Sequence, residues 1–134
     1  MSLITNLYAD PKALRTLKPW NVSTAKNGDG KYVYTGHANE WSAILQGATR
    51  YCVVAVDFST SRRDAFILEN CRTIYNGHTT LAGVFDTGNC SLYCRNGNGV
   101  SATINRIGMY SQADWERLQQ YGLDWFDGET MPLQ

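Results

Sequence analysis

The sequence has no excess of either charge: twelve Lys and Arg balance twelve Asp and Glu. A neutral chain has no electrostatic footprint for nucleic acid or for an anionic membrane surface, so neither is an expected partner. Long hydrophobic runs are also missing. The longest, Cys52 to Val56, is far short of a membrane span. Met1 to Tyr8 lacks the basic start and apolar core by which a signal peptide is read. Histidine is scarce, with only His37 and His78, and no serine stands in a Gly-x-Ser-x-Gly nucleophile elbow. These absences point away from an enzyme, and no cofactor is expected. Charged residues amount to 18% and hydrophobic residues to 43%, which excludes both a disordered chain and a coiled coil.

What the sequence does hold is Gly (12), Asn (10) and aromatics (4 Trp, 8 Tyr, 4 Phe), the make-up of a turn-rich β domain. Its 134 residues suit one domain spanning 1–134. Asn27-Gly28-Asp29-Gly30, Asn76-Gly77, Gly88-Asn89 and Asn96-Gly97-Asn98-Gly99 are turn signals. Between them lie the expected strands: Lys31 to Thr35, Trp41 to Leu45, Thr49 to Phe58, Asp64 to Glu69, Thr73 to Tyr75, Thr80 to Asp86, Cys90 to Arg95 and Val100 to Tyr110. Thr49 to Phe58 is apolar on both faces, as a central strand is. In the last strand the apolar phase flips between Ile104 and Ile107, which predicts a bulge near Asn105-Arg106. Short strands at this spacing predict an all-β antiparallel sandwich, a jelly roll. One helix is expected at residues 112 to 121, with Ser111 as N-cap and Gly122 just past its end. Beyond it, the aromatic tail over residues 123 to 134 should dock through Trp125 or Phe126 on the sandwich or on a neighbouring subunit.

Four cysteines, Cys52, Cys71, Cys90 and Cys94, raise the question of zinc or disulfides. Their gaps are 19, 19 and 4, whereas zinc ligands come in close pairs. Cys90 and Cys94 fall on one strand, about 13 Å apart, too far for one metal ion or one bridge. The expectation is four reduced thiols, mostly buried, made in a reducing compartment. Asp86, Asp127 and Gly28 to Gly30 could ligate calcium but match no EF-hand spacing, so no metal site is expected. Asp57, Asp64 and Glu69 read as solvated acids rather than a glycosidase pair.

The opening Thr5-Asn6-Leu7-Tyr8-Ala9-Asp10-Pro11, followed by Trp20, resembles the start of jelly-roll carbohydrate-binding-like modules of phage tail proteins and glycan-active enzymes. Those modules begin with Asn-Leu, then Asn-Pro-Ser-Phe-Glu, then a Trp. Here Asp10 replaces the second Asn and Lys12-Ala13-Leu14 replaces Ser-Phe-Glu, which removes a glutamate that often belongs to a calcium site. Ile107 to Trp115 and Gly122 to Phe126 are similar to C-terminal segments of tail-associated proteins in phages of Gram-positive bacteria. The resemblance implies a non-catalytic module of a phage or prophage tail, located in the virion and binding a bacterial surface glycan.

A sugar offers an apolar C–H face that stacks on aromatics and hydroxyls that bond to planar polar groups. Trp41, Tyr32, Tyr34, Arg63, Tyr75, Asn76 and His78 are the candidate glycan-binding residues on that chemistry. The alternative is a structural or assembly subunit, joining copies of itself or other tail proteins through the Trp125-Phe126 segment.

Overall fold

The computed structural model describes residues 2–8, 10, 12–45, 51–85, 90–123 and 130–133. Twelve strands and one helix follow in chain order: β1 (Ser2–Thr5), β2 (Lys18–Trp20), β3 (Val22–Lys26), β4 (Tyr32–Gly36), β5 (Trp41–Leu45), β6 (Val53–Thr60), β7 (Phe66–Glu69), β8 (Cys71–Asn76), β9 (Thr80–Phe85), β10 (Cys90–Cys94), β11 (Ser101–Tyr110), α1 (Gln112–Gln120) and β12 (Thr130–Leu133). A short 3-10 turn, Arg63–Ala65, leads into β7. No helix among the described residues is long and apolar enough to cross a membrane.

The strands form a four-stranded sheet, β2-β5-β10-β7, a six-stranded sheet, β3-β4-β11-β6-β9-β8, and a two-stranded ribbon of β1 with β12. Every strand pairing among the described residues is antiparallel. The pairings are nested: β4 with β11, β5 with β10, β6 with β9. That is one long hairpin rolled up so that β4 to β8 alternate between the two sheets, as do β9 to β11, the winding of a jelly roll. At the tip of the hairpin Asn70, with φ of +61°, turns the chain from β7 to β8. There β8 pairs with β9 instead of β7, which moves it into the six-stranded sheet.

Burial explains the apolar pattern of β6. Val54, Val56 and Phe58 face the core between the sheets, with Trp41, Leu45, Phe66, Leu92, Ile104 and Ile107. Val53 and Ala55 point the other way and are covered by Trp115 and Leu118 of α1. Both faces of the central strand are therefore dry. The expected bulge falls where the phase flips: β11 shifts register against β6 between Ile104 and Arg106. One extra residue, Asn105, keeps Ile104, Ile107 and Met109 on the same core.

Some boundaries differ from the sequence expectation. The central strand starts at Val53, not Thr49; residues 46–50 lie outside the described residues, and Tyr51 has a left-handed φ of +68° unsuited to a strand. The strand expected from Asp64 begins at Phe66 because Arg63–Ala65 forms a 3-10 turn. The helix ends at Gln120, with Tyr121 as C-cap and Gly122 at φ of +71°. Gly88-Asn89 lies outside the described residues, as do Trp125, Phe126, Asp86 and Asp127.

The Asn6-Leu7 pair has a structural role. Asn6 is buried; its Oδ1 accepts from Met109 N at 3.0 Å and from Tyr8 N at 3.1 Å, and its Nδ2 donates to Ile107 O at 3.3 Å. Leu7 N donates to Met109 O at 2.7 Å. The register of β4 with β11 covers only Ser101 to Thr103, so this segment pairs β11 backbone further along. Asp10 is occupied locally: its carboxylate accepts from Leu14 N at 3.1 Å and Arg15 N at 2.8 Å.

Candidate functional site

Of the seven residues expected to bind sugar, three converge. Arg63 sits in the 3-10 turn after β6, Asn76 ends β8, and His78 lies in the hairpin loop between β8 and β9. Nested winding brings that loop to the end of β6. The Arg63 Nη2 donates to Asn76 Oδ1 at 2.7 Å and reaches Thr80 O at 3.5 Å. Its guanidinium carbon lies 4.8 Å from the centroid of the Phe58 ring, the range of a cation–π contact. Beside it opens a hollow of about 140 Å³ lined by Phe58, Ser59, Thr60, Arg63, His78 and Thr79.

Arg63 brings a positive charge to this hollow. Arg63 is only partly exposed, and burial pulls the pKa of its guanidinium down from the ordinary value. Arginine still holds its charge at any physiological pH. Its Nε is buried without a hydrogen-bond partner, and so is the Thr80 Oγ1. A buried donor left unmade costs about 1–3 kcal/mol, more when it carries charge. The walls add hydroxyls from Ser59, Thr60 and Thr79 and the His78 imidazole, all able to meet a hydroxylated ligand. Two of these are themselves held: Thr60 Oγ1 donates to Ser101 O at 2.7 Å, and Ser59 Oγ accepts from Asn105 Nδ2 at 3.0 Å.

The other four candidates do not join this group. Trp41 is 0% exposed and packs edge-on against Phe66, ring centroids 5.4 Å apart. Tyr34 is 1% exposed, and its hydroxyl accepts from Leu17 N at 2.8 Å. Both are core residues, because β4 and β5 turn them between the sheets, and neither can stack on a ligand. Tyr32 is half-buried with Lys26 Nζ 5.8 Å from its ring centroid. Tyr75 is half-buried against Trp115, at 6.1 Å between centroids, on the helix-covered face. The acids also have structural places. Asp57 is buried and ion-paired with Arg106, whose Nε donates to it at 2.6 Å, while Asp64 is exposed in the 3-10 turn. Among the described residues no three or more His, Cys, Asp or Glu cluster as metal ligands do.

The wall residues Phe58, Ser59, Thr60 and Thr79 were not singled out from the sequence. Phe58 reads only as the end of an apolar strand, and nothing local pairs residue 58 with residue 78. Trp20, which follows the Asn6-Leu7 opening, is 47% exposed on β2, at the opposite edge of the four-stranded sheet from β7. A larger hollow of about 280 Å³ lies between α1 and the six-stranded sheet, with Arg72 and Glu116 of opposite charge on its walls. No family model, curated protein or solved structure matches the chain.

Proposed function

We propose that this chain is a non-catalytic carbohydrate-binding module, and that the Arg63 hollow takes one unit of a bacterial surface glycan. The observation that carries this is the guanidinium of Arg63. It lies 4.8 Å over the Phe58 ring, is anchored by Asn76 Oδ1, and lines a hollow whose other walls carry the Ser59, Thr60 and Thr79 hydroxyls and the His78 imidazole. A pyranose supplies ring hydroxyls for the polar groups that line this hollow. The hollow is small beside ordinary ligand pockets of 300–1,000 Å³, so one ring at most is enclosed. Affinity per site is then weak, about 4 to 8 kcal/mol, and attachment to a cell requires several copies acting together. A phage or prophage tail, implied by the resemblance of the two termini, is a setting that provides such copies.

The test is retention of bead-coupled protein, displayed at high density, on purified cell-wall glycans. Arg63→Ala should lower retention about 10- to 100-fold, the loss of one or two charge-assisted hydrogen bonds. The same variant should keep the wild-type oligomeric state. Equal retention of the variant, or no retention of the wild type on any glycan tried, would sink the proposal. The second outcome would favour the alternative of an assembly subunit working through its C-terminal segment.

A further inference from the structure

Two cysteines nineteen positions apart meet between the sheets. Cys71 opens β8 of the six-stranded sheet and Cys90 opens β10 of the four-stranded sheet, and their Sγ atoms are 3.2 Å apart. Cys90 is fully buried; Cys71 is half-buried and packs on the core beside it. Gly83 makes the room, because a Cβ there would sit 2.8 Å from the Cys71 Cβ. Cys94 is turned elsewhere, its thiol toward Arg95 O at 3.7 Å. Two thiols already in contact need only small side-chain rotations to reach bonding geometry.

We propose that Cys71 and Cys90 close into a disulfide staple between the two sheets when the protein meets a low-molecular-weight disulfide oxidant. The half-buried Cys71 is the entry point. Its thiolate attacks one sulfur of the oxidant, breaking that S–S bond, forming a mixed disulfide and releasing one thiolate. The Cys90 sulfur then attacks Cys71 Sγ, its proton leaves with the second small thiol, and the protein S–S bond forms. Two protein thiols are oxidised and one small disulfide is reduced to two thiols. Hydrogen bonding with Cys71 and burial both push the Cys90 thiol up in the reduced protein; in the mixed disulfide Cys71 has no thiol left and burial remains, so the Cys90 attack quickens as pH rises. The closed loop runs from Cys71 to Cys90 and takes in β9, tying a strand of one sheet to the first residue of a strand in the other. The staple is independent of what the Arg63 hollow binds.

The experiment incubates native, reduced protein with excess oxidised glutathione and counts thiols after denaturation. Four thiols should fall to two, the intact mass should drop by about 2 Da for two lost hydrogens, and peptide mapping should recover the Cys71–Cys90 link. The melting temperature should rise by about 5–10 °C, as expected for a loop of this length. Cys90→Ser should instead hold a persistent glutathione adduct on Cys71, and Cys71→Ser should lose no pair of thiols. Four remaining thiols in oxidised wild type, a link involving Cys52 or Cys94, or a disulfide-joined dimer would each overturn the inference.

Discussion

At Gly97 a Cβ would sit 2.5 Å from the Trp41 indole and 2.8 Å from Cys94 Sγ, and Trp41 Nε1 donates to Gly97 O at 3.1 Å. The indole is therefore clasped by the loop between β10 and β11 as well as by Phe66. Trp41→Ala should cost about 3–5 kcal/mol, by lost transfer energy and the cavity left behind. Gly97→Ala should cost about 1–3 kcal/mol by overpacking the same spot. Urea denaturation checks both; a Trp41→Ala protein that keeps wild-type stability but loses glycan retention would return Trp41 to the surface role first expected of it. Residue chemistry alone could not separate these roles, since an aromatic with a polar tip serves a core or a sugar platform equally well. Arg63, Asn76 and His78 were legible as polar candidates, but their meeting depends on β6 and the β8–β9 loop arriving at one end of the sandwich. The Cys71–Cys90 contact was invisible for the same reason: nineteen residues of spacing carry no hint of two strands facing across a core.

Among the elements, those bounded by strong local chemistry are the ones the sequence made readable. Asn27 folds its own turn, Oδ1 accepting from Asp29 N at 2.9 Å and Lys31 N at 3.0 Å, and β4 begins right after it. By contrast β2 and β3 lie at the edges of their sheets, with all residues but Val22 exposed, so neither has an apolar alternation to read. The helix belongs to the readable kind. Ser111 Oγ accepts from Asp114 N at 3.1 Å, and Asp114 pairs with Arg117 at 3.3 Å one turn on. α1 closes the outer cluster of Val53, Ala55, Ala82 and Val84, so its stability is coupled to the central strand. Ser111→Ala should cost about 1 kcal/mol, seen as a lower urea midpoint at unchanged slope. A midpoint identical to wild type would mean that Trp115 and Leu118 hold the helix by packing alone, with no help from the cap.

Rolled as one long hairpin, the molecule brings its two ends together, and β1 and β12 finish the winding as a separate ribbon with Ser2 opposite Leu133 and Thr5 opposite Thr130. The C-terminal strand thus has a partner within its own chain, and β1 also lies against α1. This bears on the rival idea that the C-terminal segment joins subunits, because a strand already paired inside its own chain offers fewer backbone groups to a neighbour. Deleting residues 124 to 134 removes β12 and leaves β1 with an open edge. If the ribbon is internal, the truncated protein should melt at a lower temperature while its full-length parent stays monomeric by light scattering. Some concentration-dependent association of the truncated form would follow from the bare edge, so association should rise on truncation, not fall. If the tail instead builds an oligomer, the full-length protein should be the larger particle, and truncation should reduce its mass to that of one chain. The sign of the mass change on truncation therefore separates a terminal clasp from an assembly contact.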